Sequence, residues 1–296
     1  MGWDLVYWDH SYNKILLLNF SIVIALFASL RLFSGTIAHI NASDELLKKD
    51  NPAFGLSLAG VTFAMTILLS GTIYGDMGGD MMSSAVAIGV YGVVGIALMA
   101  WARIIFDKLA LPDISLREEI SKGNIAVAIC DTGNVLAAAI ILRALMIWIT
   151  DNTIEALVAL FAGYVISQIV LTGMTRLRLK LFSMTHKDKS VQDELQKGNV
   201  ALALSFAGRK IGTALAISVA ANLVVYEVYD IKMFLLPWMA VSLGVILVLK
   251  LLSFVAERVI LYRVNVFHEI LEQRNIAIGA LQGVIYLSLA LLLAEL

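Results

Sequence analysis

Asp50-Asn51-Pro52-Ala53-Phe54-Gly55-Leu56-Ser57-Leu58-Ala59-Gly60 leads a polar turn into a long apolar run, and its pattern returns three times. The asparagines that head the copies, Asn51, Asn124, Asn199 and Asn275, are spaced 73, 75 and 76 residues apart. Each has Ala two residues later and small residues at plus four and plus eight: Gly55/Ala59, Ala128/Thr132, Ala203/Ala207 and Gly279/Gly283. An acid stands six residues before each, at Glu45, Glu118, Asp193 and Glu269. Asparagine at a helix start caps it, because the side-chain oxygen accepts from a backbone N–H that has no partner within the helix. Small residues four apart form a stripe along which backbones approach closely. In lipid, where no hydrophobic effect draws helices together, that close packing is what joins them. The pattern predicts a two-helix membrane unit used four times, with the even-numbered spans meeting through Gly55, Ala128, Ala203 and Gly279.

Composition agrees. Of 296 residues, 60% are hydrophobic and 15% charged, with a mean hydropathy of +0.86, values outside the range of soluble domains. A membrane helix needs about 20 apolar residues. Stretches of that kind lie at 15–35, 52–74, 84–106, 124–149, 153–175, 199–225, 232–256 and 275–295. The expected fold is therefore an all-α, polytopic bundle of eight transmembrane helices. The first and third copies share Leu-Ser-x-Ala-Gly (56–60 and 204–208), and the second and fourth share Asn-Ile-Ala. This ABAB order predicts two four-helix blocks, 1–150 and 151–296. Two spans per unit make the repeats parallel, with pseudo-twofold halves about an axis along the membrane normal.

The net charge of −1 hides a segregation. Fourteen basic residues, among them Lys48, Lys122, Lys197 and Arg274, sit in loops on the side of the asparagines, against Lys14 and Lys232 opposite. Positive loops stay in the cytoplasm, so both termini are expected in the periplasm or exterior. Asp4 and Asp9 in place of a basic n-region argue against a cleaved signal peptide. The lone Cys130 allows no disulfide within the chain. The longest loop, about 177–198, is basic and reads as a surface for anionic lipid, with room for a short amphipathic helix. It lacks the interleaved aromatics that nucleic acid would ask for. A homo-oligomer stays open.

Two-helix membrane units entered by Asn-x-Ala-x-small resemble the domain-of-unknown-function 350 family. Asp50-Asn51-Pro52-Ala53-Phe54-Gly55 and Gly123-Asn124-Ile125-Ala126-Val127-Ala128 carry the likeness, which extends as tandem copies over essentially the whole chain. The resemblance implies a bacterial inner-membrane protein and transfers no catalytic residue.

Charges at membrane depth are the sharper functional signal. Asp131 lies seven residues into its span, roughly 10 Å deep at the helical rise, with Asn134 one turn deeper. Arg209 and Lys210 lie about 15–17 Å into theirs. A central charge costs about 2.5–3.5 kcal/mol on insertion scales and should face protein or water. An ion pair between Asp131 and Arg209 or Lys210 across the small-residue interface is expected, structural on one reading and a gating or transport element on the other. Arg31, Arg103, Arg176 and Lys250 fall near cytoplasmic span ends and read as snorkelling anchors. The acids before each asparagine could ring a pore mouth and attract cations. They could equally form i, i+4 pairs, Glu45/Lys49, Glu118/Lys122 and Asp193/Lys197, on short interfacial helices.

No enzymatic motif is present. The four histidines have no ligand-like spacing, so neither a metal nor a cofactor site is expected, and no phosphate loop or hydrolytic set can be assembled. What remains is a channel or transporter-like protein for ions or small polar solutes, with a non-transporting scaffold or stress-response partner as the alternative.

Overall fold

The structure is a computed structural model, described over residues 13, 17, 18, 20–28, 42–75, 81–149, 153–186, 189–226 and 231–296. It is all-helical, with no strand among these residues. Seven long helices carry the fold: α1 Pro52–Gly75, α2 Met81–Ile105, α3 Ile125–Trp148, α4 Ile154–Thr185, α5 Val200–Ser218, α6 Ile231–Ile260 and α7 Ile276–Leu293. Each contributes a stretch long and apolar enough to cross a membrane. Of the first expected span, 15–35, residues 20–28 are helical, and Leu26 reaches Gly92 of α2. The rest of that span, together with Asp4, Asp9, Lys14 and Arg31, falls largely or wholly outside the described residues.

Two helices outrun their expected spans. α4 continues through Arg176, Arg178 and Lys180 to Thr185, and α6 runs on to Ile260. Hydropathy marks where apolar character stops. Arg, Lys and Leu are good helix formers and carry the helix onward. The loop expected at 177–198 is accordingly shorter and does hold a six-residue helix, Val191–Gln196.

Helices α1, α3, α5 and α7 pack in chain order, each on the next, while α2 lies against α1 and α3 and α6 against α5 and α7. The junctions share one register. The residue nine after an asparagine meets the residue eight after the following asparagine: Gly60 on Thr132, Gly133 on Ala207 and Gly208 on Gly283. A Cβ on Gly208 would stand 2.6 Å from Gly283 Cα, so the two backbones touch. Of the expected contact positions, Ala128 and Ala203 are fully buried and Gly279 lies on the Ala201 carbonyl, whereas Gly55 has only Leu46 beside it. α3, inside the row, is the most buried helix. α6 presents Leu247, Leu251, Phe254 and Val255 outward, the apolar exterior a lipid-facing helix needs.

At the end opposite the asparagines, Trp148 stacks edge-on with Phe234 and Trp238, ring centroids 4.9 and 5.1 Å apart. Their polar atoms are satisfied, Trp148 Nε1 donating to the Val224 carbonyl at 2.6 Å and Trp238 Nε1 to Ser167 Oγ at 2.9 Å. This cluster ties α3 to α4 and α6 and leaves the polar chemistry to the other end of the bundle.

Candidate functional site

The four asparagines do more than cap. Asn51 Oδ1 accepts from the Ala53 and Phe54 amides (3.1 Å each), Asn124 from Val127, Asn199 from Leu202, and Asn275 from Ala277 and Ile278. The other half of the amide reaches forward along the row. Asn51 Nδ2 donates to the Ile120 carbonyl (2.9 Å), Asn124 to Leu195 (3.1 Å) and Asn199 to Ile270 (2.9 Å). Those carbonyls end the short helices Leu116–Ser121, Val191–Gln196 and Val266–Leu271. One side chain thus finishes its own helix and clasps the next hairpin.

The acids serve the same turn, though not all at the expected positions. Each asparagine N–H bonds the carbonyl of Glu45, Glu119, Glu194 or Glu269. Glu118 and Asp193, picked by counting six back, are one residue off. The second and third turns are shorter, closed by Gly123 and Gly198 at φ 85° and 77°, while the outer two close through Asp50 and Arg274 at φ 48° and 53°. Only glycine takes such angles freely. By turn type the copies therefore run ABBA rather than ABAB. Lys49 bonds Glu45 at 2.6 Å as expected, but Lys122 and Lys197 pair with Glu119 and Glu194 at i, i+3. Bonds from Lys49 and Asn51 hold the Glu45 carboxyl below its usual range. At Glu119 burial pushes the carboxyl up, and bonds from Asn124 and Lys122 outweigh it. These carboxylates are taken up by lysines and asparagines, which favours the structural reading over a cation-attracting ring.

Asp131 does not pair with Arg209 or Lys210. It is fully buried, and Arg103 of α2 closes on it with Nε 2.9 Å from Oδ1 and Nη2 2.6 Å from Oδ2. Ser57 of α1 donates to Oδ2 at 2.6 Å. Asn134, one turn deeper, donates to the Ala102 carbonyl at 3.4 Å. The physical reason is depth. Arg103 stands seven residues before the asparagine-side end of its span at Ala110, roughly 10 Å in, level with Asp131, whereas Arg209 lies a turn deeper on another helix. Assigning Arg103 to snorkelling missed this, and comparing depths on antiparallel neighbours would have found it. Arg103, with its side chain 39% exposed, lines a cavity of about 420 Å³ between α1, α2 and the helix Leu116–Ser121. Phe54, Leu58, Val61 and Ile104 give that cavity apolar walls, and Asp107 and Arg117 add charge.

Arg209 finds its acid within its own block. Its Nη2 stands 3.0 Å from Glu257 Oε1 on α6. Gln282 donates to Glu257 Oε2 at 3.1 Å and accepts from Ser205 at 2.6 Å. Ser205 follows Asn199 as Ser57 follows Asn51, and Gln282 follows Asn275 as Asp131 follows Asn124. The hydroxyl recurs, while the acid of the first network is replaced by an amide and the negative charge moves to the neighbouring helix. Lys210 is buried, its Nζ 3.5 Å from Thr175 Oγ1 and 4.3 Å from the Phe106 ring centroid. Arg178 donates to Thr213 at 2.7 Å and Tyr286 at 2.9 Å. Among the described residues no cluster of three His, Cys, Asp or Glu side chains could hold a metal.

The chain belongs to the family described as Domain of Unknown Function (DUF350), whose model matches it twice in tandem, over residues 8–146 and 151–296. No curated protein and no solved structure matches it significantly. Arg103 and Asp131 fall in the first matched segment, and Arg209 and Glu257 in the second.

Proposed function

We propose that this is an eight-span protein of the bacterial inner membrane that passes ions or small polar solutes. In this reading four parallel two-helix units form pseudo-twofold halves, 1–150 and 151–296, about an axis along the membrane normal. The charge segregation supports cytoplasmic asparagine turns and termini on the periplasmic side. The observation that carries the transport reading is Arg103. It is an arginine at membrane depth, anchored by a buried carboxylate, that still reaches a cavity large enough for a small solute. A charge kept at that depth beside a cavity marks a pathway more often than a packing element.

The test is flux through liposomes holding the purified protein, with cations, polyamines and inorganic anions assayed separately against empty liposomes. Flux that changes in Arg103→Met, with the protein still eluting as a folded species, supports the reading. Absence of flux for every solute overturns it in favour of a scaffold, a role to which the interlocked asparagine clasps are suited.

A further inference from the structure

We infer that the second block holds a binding site for a small oxyanion, built from Arg178 of α4, Arg209 and Lys210 of α5, Lys250 of α6 and Tyr286 of α7. It lies apart from the cavity beside Arg103, and binding there does not depend on transport.

The first observation is a charge imbalance. Arg178 lies within electrostatic reach of Arg209, Lys210 and Lys250, and Lys250 within reach of Arg209 as well. Glu257 is the carboxylate paired with this group, and its partner is Arg209. Arg178, Lys210 and Lys250 have no carboxylate within ion-pair distance among the described residues. In the first block, by contrast, Arg103 and Asp131 neutralise each other. Several like charges at membrane depth repel one another as well as losing solvation, and an anion relieves both costs.

The second observation is unmet hydrogen-bonding capacity of one kind. Arg209 Nε is buried without a partner. Tyr286 is buried, and its hydroxyl accepts from Arg178, which leaves its own proton to donate. Lys210 Nζ has one hydroxyl, at the 3.5 Å limit, and an aromatic face. Every open valence is a donor. That selects an acceptor-only ligand, and guanidinium groups favour the geometry of carboxylate, phosphate or sulfate. Access is available because Arg178, Arg209 and Lys250 are only half-buried, while Lys210 is buried beside Thr175 and the Phe106 ring.

Calorimetric titration of inorganic sulfate into the delipidated full-length protein, in an uncharged detergent at fixed ionic strength, tests this. The expected result is saturable binding whose half-saturating concentration rises at least tenfold in Lys250→Gln. Among the described residues Lys250 makes no side-chain hydrogen bond, so this variant should fold. Lys210→Met provides a second probe and should weaken binding similarly. No saturable heat in the wild type, or wild-type binding in both variants, overturns the site. If added phosphatidylglycerol displaces sulfate, the natural oxyanion is a lipid phosphate; if it does not, the site takes a soluble anion. Flux through liposomes is not an input, so failure of the transport reading and failure of this site are separable.

Discussion

Arg103 closes on Asp131 as a two-pronged fork from the adjacent antiparallel helix, with its shorter contact, Nη2 to Oδ2, at 2.6 Å. The carboxylate is wholly enclosed and the guanidinium only partly so, so the acid depends on the base more than the reverse. Asp131→Asn should lower stability by about 3 kcal/mol, the low end for breaking a buried pair because Arg103 retains some solvent. Arg103→Met combined with Asp131→Asn should recover much of that loss. Thermal unfolding of the three variants in one detergent measures it. A double variant no better than Asp131→Asn alone would mean that the two side chains are not energetically coupled.

The clasps make the four asparagines unequal. Asn51, Asn124 and Asn199 each bond a carbonyl of the following hairpin, whereas the recorded bonds of Asn275 stay within its own turn. Replacement by alanine should cost about 1 kcal/mol for the cap at every position. At the first three, the carbonyl left without its donor adds roughly another 1 kcal/mol. Ranked melting temperatures should place Asn275→Ala nearest the wild type, and a larger loss there than at Asn124→Ala would contradict the clasp.

Glycine substitutions should separate contact from propensity. A Cβ on Gly279 would collide with the Ala201 backbone, which cannot yield as a side chain can, while a Cβ on Gly89 would meet nothing within 4 Å. Gly279→Ala should destabilise strongly or abolish folding. Gly89→Ala should be neutral or stabilise by up to about 1 kcal/mol through helix propensity. Expression yield and melting temperature of the pair give the answer, and equal behaviour would refute the close junction of α5 and α7.

Acid should loosen the asparagine turns. The Glu45 carboxyl is held low by bonds from Lys49 and Asn51, so the stability it contributes is fully present above the unfolded carboxyl value of about 4.3. That contribution is lost as pH falls through the lower folded value. Glu45→Gln should therefore melt below the wild type at pH 7, with the gap closing under about pH 3. A gap constant from pH 7 to pH 3 would show that packing, rather than charge, is what Glu45 supplies.

Much of this arrangement could be read from residue order. The asparagine spacing located every entry turn, and the small residues at plus eight located the faces on which the row of helices packs, although their plus-nine partners went unmarked and Gly55 at plus four lies off that face. What escaped reading was anything set by the relative depth of two helices. Asp131 was matched to cations one helix over when its partner lay on the antiparallel neighbour. Glu118 and Asp193 were chosen by counting, because a glycine that shortens a turn by one residue leaves the spacing of acids ambiguous. The Glu257–Gln282 contact carried half a signal, since Gln282 holds the place after Asn275 that Asp131 holds after Asn124, while Glu257 has no counterpart in the recurring motif. Its polar atoms meet only after α6 and α7 are packed.

The forward reach of the asparagines also sets an order in time. Asn51 and Asn124 each spend one amide hydrogen on a carboxylate of their own turn, but Asn51 cannot complete its contacts until Ile120 has been synthesised, Asn124 until Leu195, and Asn199 until Ile270. A nascent chain leaving the ribosome therefore leaves the forward amide of its newest turn to water until the next hairpin has been inserted. The clasps can close only in order from the amino-terminal end, each hairpin latching its predecessor. A chain truncated after any of the first three turns keeps its cap but lacks the clasp that ties that turn to the next hairpin.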